Sequence, residues 1–210
     1  MLLATCVVAL FCFIPASSLA PPNCGDLVRP LDHVDGHQLD GRWHLIAHSP
    51  VEPDNQSAYK LMDSLGMKFS NASDNHNTSN LLLERILGFL GTCDYESSNI
   101  TLEGNILTSS NESATFFHTS CSDCLILHFT NGRAHGNLHL YSKRREVEKE
   151  VMDEFKTQAE CVKNQPPVMM DSSKKLCPDQ EPTLSEDEEL KQNLRLLLRI
   201  LDLVDEAPDA

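Results

Sequence analysis

Gly41-Arg42-Trp43-His44-Leu45-Ile46-Ala47 carries the only tryptophan of the 210-residue chain. From the indole onward the side chains alternate. Trp43, Leu45 and Ala47 point one way, and His44, Ile46 and His48 the other. A period of two predicts a strand with one apolar face. Gly41 has no Cβ, which would let the large indole fold back over the backbone at the strand entrance. A core tryptophan of any fold could look the same in isolation. The stretch gains its meaning from what surrounds it: a long strand-rich middle, a late amphipathic helix, and cysteines bracketing both.

Upstream, residues 2–14 are almost all apolar, Pro15 breaks the run, and small residues follow to Ala20. This reads as a secretory signal over residues 1–20, too short to span a bilayer. No later apolar run is long enough to do so, which predicts a chain that is not membrane-spanning. Of eight cysteines, Cys6 and Cys12 leave with the signal, and Cys24, Cys93, Cys121, Cys124, Cys161 and Cys177 remain. An even number in a secreted chain suggests three disulfides, and six cysteines allow fifteen pairings. Asn55, Asn71, Asn77, Asn99 and Asn111 each open an Asn-x-Ser/Thr acceptor, so a glycosylated extracellular protein is expected. The net charge of −14 argues against nucleic acid as a partner and against an anionic membrane held by charge alone. It favours solubility at high concentration, as in plasma.

Along the chain, residues 21–40 read as an extended arm that Cys24 could tether. Residues 50–65 look like a loop, with Pro50, Pro53 and a sequon. Residues 66–72 read as a second strand with Met67 and Phe69 on one face. The apolar run 81–90 fits helix or strand, and its polar-turn flanks favour strand. Further strands are predicted at 92–103, 104–108, 113–119, 124–130 and 136–141, the last two joined by an Asn131-Gly132 hairpin turn. That makes about eight strands with short links, the number that closes a small barrel. Residues 146–162 read as a helix, with Val147, Val151, Phe155 and Ala159 recurring every four residues. Pro166-Pro167 ends it, and an irregular tail holds Cys177. A second helix is predicted over 185–205. Ser185 and Glu188 form its capping box, and Leu190, Leu194, Leu197, Leu198 and Leu201 its apolar stripe.

In this order the pieces resemble the lipocalins. The resemblance is carried by Gly41-Arg42-Trp43-His44-Leu45-Ile46-Ala47, Phe116-Phe117-His118-Thr119-Ser120-Cys121, Leu138-His139-Leu140-Tyr141-Ser142-Lys143, and Glu154-Phe155-Lys156 leading to Cys161. It covers roughly residues 24–177 and is most like the apolipoprotein M and α1-acid glycoprotein branch. It is also similar to fish plasma members that bind saxitoxin, tetrodotoxin or tributyltin. The resemblance implies an all-β fold: an eight-stranded antiparallel up-and-down barrel with a flanking C-terminal helix. The acidic amphipathic tail helix would be an addition. The implied domains are the signal at 1–20, a lipocalin domain at 21–178 and an acidic tail at 179–210. It also implies the pairs Cys24–Cys161 and Cys93–Cys177, which leaves Cys121–Cys124. Gly41, Trp43 and Lys143 would be structural, since a basic residue after the last strand packs across the tryptophan in this family.

The same reading implies a binder rather than an enzyme. Cys121-x-x-Cys124 near His118 and His128 could be a redox or metal pair, but in an oxidising compartment a structural disulfide is the simpler reading. No sequence motif pairs a nucleophile with its base, so no catalytic residue, metal or cofactor is expected. Inward-facing candidates are Leu45 and Ala47 from the first strand, Met67 and Phe69 from the second, and Leu125, Leu127 and Phe129 from the hairpin. The resemblance adds His139 and Tyr141. Each of these residues is equally read as plain barrel filling. Together, apolar walls with a phenol and an imidazole suit a small lipophilic ligand with one polar end. The expected function is a secreted carrier of small lipophilic molecules or toxins. The alternative is an acute-phase immunomodulatory or lipoprotein-associated protein that acts through its glycans or through its last helix, on a lipoprotein particle or a protein partner.

Overall fold

The computed structural model describes residues 23–53, 59, 61–71, 79–110, 112–130, 136–179, 193, 194 and 197. Alternation of apolar and polar side chains shapes eight antiparallel strands: β1 (Gly41–Ser49), β2 (Met62–Asn71), β3 (Asn80–Phe89), β4 (Thr92–Glu103), β5 (Ile106–Thr108), β6 (Ser113–Phe117), β7 (Cys124–Thr130) and β8 (Asn137–Ser142). Each pairs with the next. The first strand also closes the ring, because Trp43 lies opposite Met67 of β2 and Leu45 opposite Tyr141 of β8. A two-residue strand, β9 (Val168–Met169), adds to β1 at Ala47 and His48. The result is a closed, mostly β barrel of eight strands with a C-terminal helix.

Two apolar layers follow from the alternation. The inner layer holds Trp43, Leu45, Met67, Phe69, Leu83, Phe116, Leu127 and Tyr141. The outer layer holds Ile46, Ala47, Ile126, Leu138 and Leu140, covered by Val151, Met152, Phe155 and Ala159 of helix α2 (Lys149–Cys161). Gln158 of this helix is fully buried, and its amide donates to the carbonyls of Leu27 at 2.9 Å and His118 at 2.8 Å. Those bonds tie α2 to the N-terminal arm and to the β6–β7 link. The arm is not wholly extended: it contains a short helix α1 (Cys24–Leu27) and a 3₁₀ turn (Gly36–Leu39), begun by Asn23 and Asp35, whose side chains accept from Gly25 and His37. Disulfides join Cys24 to Cys161, Cys93 to Cys177 and Cys121 to Cys124, with Cα atoms 5.3, 5.7 and 5.3 Å apart. The first links α1 to the end of α2, and the second holds the tail on β4.

Three local expectations change. Alternation in β1 does not run straight through. A register shift between Leu45 and Ala47 leaves Ile46 and Ala47 both in the outer layer and turns His48 inward. This is a β-bulge, whose extra residue reverses the parity beyond it. Ala47 is therefore no candidate for the cavity wall. Residues 62–65, expected in a loop, belong to β2. The late helix starts at Lys149 rather than 146, because Arg144 and Arg145 are held outside it. Arg144 binds Asp123 and Glu148, and Arg145 donates to the carbonyls of Lys174 and Asp171.

The helix expected over 185–205 lies outside the described residues except at Asn193, Leu194 and Leu197, which are helical; both leucines are 57% exposed. The Asn131-Gly132 turn also lies outside them, as do the sequons at Asn55, Asn77 and Asn111. Asn71 and Asn99 are exposed. Among the described residues no helix is long and apolar enough to cross a membrane.

Candidate ligand site

The barrel is plugged at the end where β1 begins. Gly41 enters the strand at φ +98°, in the left-handed region that favours glycine. A Cβ there would meet nothing within 4 Å, so conformation, not room for the indole, is what demands glycine. The Trp43 indole donates to the carbonyl of Leu39 at 2.8 Å, and the Lys143 ammonium lies 4.8 Å from its ring. The arm closes the floor beneath: Leu31 donates to Phe116 and Val34 to Gly104, both at 2.9 Å.

Above this floor the candidate wall residues come together. Leu45, Met67, Phe69, Leu127 and Tyr141 are at most 4% exposed and share one cluster with Trp43, while Leu125 and Phe129 are half-buried against it. His139 joins them: its Nδ1 meets the Tyr141 hydroxyl at 3.1 Å, and the Phe129 ring lies 4.7 Å away. The wall is well filled. Between Met67, Leu83, Arg85, Ile100, Leu127 and Phe129 a cavity of about 20 Å³ remains, room for about one water. A ligand larger than a water must displace side chains to occupy that cavity.

Four further residues complete the site. His48 faces inward because of the bulge in β1. Tyr59 stacks on it with ring centroids 3.5 Å apart. Arg85 continues the inward series Leu81, Leu83 of β3, and its guanidinium binds Glu112 at 2.8 Å. Extending the alternation of β3 by one step would have found Arg85. No sequence signal marks His48 or Tyr59, since the bulge and the ring stacking are tertiary.

Electrostatically the interior is a neutral place with one committed ion pair. Burial lowers the pKa of His48 to about 4. Burial also pushes His139 well below the usual imidazole range, helped by His48 and Arg85. The phenols of Tyr59 and Tyr141 are pushed up, chiefly by burial. All four rings are therefore uncharged near neutral pH, and the wall can recognise through shape, stacking and neutral hydrogen bonds.

The Cys121 and Cys124 sulfurs approach Asp123, and the donor atoms of the three lie within 4.8 Å of one another. Both sulfurs are spent in the disulfide, so neither is a thiolate that could hold a metal. His128 tilts over Phe117 at 5.2 Å on the outer face, and His118 is exposed. Neither is placed to act with the pair on a bound ligand in the barrel.

A comparison with curated proteins gives no match. Among solved structures the chain is similar to two siderocalins. One is Ex-FABP, described as functioning through dual ligand specificities, at 15% identity and a TM-score of 0.51. The other is Q83, described as having a dual ligand binding mode, at 14% identity and a TM-score of 0.57. Each alignment covers 69% of this chain and 96% of the siderocalin. At that identity they speak for the fold alone, an independent sign of the lipocalin barrel. The family model for the ApoM domain matches residues 35–179, from the 3₁₀ turn that floors the barrel to the tail beyond Cys177. The chain belongs to the ApoM family of lipocalin-like proteins.

Proposed function

We propose that this protein is a secreted, glycosylated carrier that binds a small lipophilic molecule inside the barrel. The observation that carries the reading is the inner wall, where aliphatic and aromatic side chains from β1, β2, β7 and β8 converge around one neutral polar pair, His139 and Tyr141. Such a wall favours an apolar body with a single polar end. Family membership supports the same chemistry. Plasma lipophiles and lipophilic toxins fall within the class. Leu45, Met67, Phe69, Leu125, Leu127, Phe129, His139 and Tyr141 are the proposed contact residues.

N-phenyl-1-naphthylamine, a neutral apolar dye that brightens on burial, provides the test. Full-length protein should bind it, and Phe129→Ala should weaken binding by about 1–3 kcal/mol, the worth of one buried aromatic side chain. Unchanged affinity in both Phe129→Ala and Tyr141→Ala would place the ligand elsewhere. Native mass spectrometry of protein from its source would then name the retained molecule.

A second reading rests on the exposed leucines of the tail. Leu194 and Leu197, helical and 57% exposed, offer an apolar contact to a lipoprotein particle or a protein partner. Co-elution with lipoproteins, lost when both leucines become serine, would favour it.

A further inference from the structure

The inward face of β1 ends in a group of rings that hydrophobic filling does not explain. Tyr59 lies face to face on His48, with centroids 3.5 Å apart and 16° between the planes. His139 meets His48 edge-on at 4.6 Å. His48 is fully buried and His139 is 7% exposed. Neither ring nitrogen of His48 has a hydrogen-bond partner among the described residues, and neither does Nε2 of His139. Buried polar atoms left unpaired are costly, and native folds rarely gather three of them in one place without a use. A leucine would fill the same space without that cost.

We propose that Tyr59 occupies, as part of the chain, a subsite for an external ring: an uncharged, planar aromatic molecule with a hydroxyl or N–H group on its edge, stacked on His48 and hydrogen-bonded to the imidazoles. This rests on the reading of the barrel as a ligand cavity and names the class of ligand. The stacking face is demonstrated by Tyr59 itself, whose ring lies at van der Waals distance on His48. The edge group follows from the imidazoles. Burial keeps both neutral, and a neutral imidazole has one donor and one acceptor nitrogen. His48 has both to spare, which suits a group that can donate and accept. Charge is disfavoured in either sign. Burial penalises either charge, and the Arg85 guanidinium is already bound to Glu112 at 2.8 Å, so the opposed fields of that pair leave neither a free partner for an anion nor one for a cation.

Two probes separate planarity from polarity. 2-Naphthol and decahydro-2-naphthol share a skeleton and a hydroxyl, but only the first is flat. Calorimetric titration of the full chain near neutral pH should show that Tyr59→Ala tightens 2-naphthol by about 10-fold, because the internal competitor is gone. In that variant 2-naphthol should bind about 5-fold more tightly than its saturated counterpart. Adding His48→Leu should erase the preference, with near-ultraviolet circular dichroism checking that the double variant is folded. Equal affinities for the two probes in Tyr59→Ala would overturn the proposal. So would a preference that survives His48→Leu, or 2-naphthol affinity that Tyr59→Ala leaves unchanged. The naphthylamine dye separates this failure from a wider one. If wild-type protein binds the dye and Phe129→Ala weakens it, the barrel remains the cavity and only the subsite is lost. If wild-type protein takes up no dye, both readings fall.

Discussion

A histidine buried with no hydrogen-bond partner among the described residues is a liability in acid, and His48 shows how one side chain can set a pH dependence. Its native pKa of about 4 lies below the ordinary 6.5, so in that interval the unfolded chain binds the extra proton and the folded one does not. The stability held above the ordinary value is lost as pH falls toward 4, by up to about 3 kcal/mol for this group. His139, shifted in the same direction, adds to the slope. Urea midpoints should therefore drop between neutral and mildly acidic buffers, and His48→Leu should flatten part of that drop. A slope identical in the variant would mean that His48 is not the titrating group. Sequence parity could not have found this residue, because the bulge at Ile46 places two successive side chains on the same face. Trp43 is the opposite case. One indole beside a glycine was legible at once; in the fold it donates to the Leu39 carbonyl and lies under the Lys143 ammonium.

At the scale of elements, legibility followed periodicity. The strand Asn80–Phe89 and the helix Lys149–Cys161 each repeat their apolar residues at a fixed spacing, so both were readable within a few positions. Residues 62–65 were not, because Met62-Asp63-Ser64-Leu65 shows no apolar alternation. They are strand because they pair with β3, Met62 opposite Phe89, Ser64 opposite Gly88 and Leu65 opposite Leu87, and the Asp63 carboxylate accepts from Gly91 at 2.5 Å. Helix α2 rests on the outer layer through Phe155, but Gln158 sets its register against the arm. Gln158→Leu keeps the volume and removes both donated bonds, leaving the Leu27 and His118 carbonyls unpaired in a partly buried place. We expect a loss of about 2 kcal/mol by urea unfolding, with the helical content intact. A cost below the error of the measurement would show that water reaches those carbonyls.

Across the whole molecule the informative contacts are the longest ones, and those were least legible. Closure of the ring joins β1 to β8, and Cys93–Cys177 spans 84 residues; the strand count pointed to the first, and only the family resemblance anticipated the second. We propose that the domain ends where those contacts stop. The tail is held as far as Asp179. Cys177 is bonded to Cys93, and its carbonyl accepts from Arg42 at 3.0 Å. The Tyr95 hydroxyl donates to the carbonyl of Pro178 at 3.1 Å, and Asp179 pairs with Arg42. Farther along, the described leucines 194 and 197 are mostly exposed. A chain ending after Pro182 keeps every one of the restraints just named and loses only the acidic segment with its leucine stripe. Such a truncated protein should fold with all three disulfides and bind N-phenyl-1-naphthylamine as the full chain does, with an affinity within about 2-fold, the outcome for a segment that shares no contact with the ligand. Non-reducing peptide mapping and dye titration measure the two halves of that expectation. If the shortened chain fails to fold, or folds and loses the dye, the last helix is part of the barrel's own support, and the domain boundary must move beyond it.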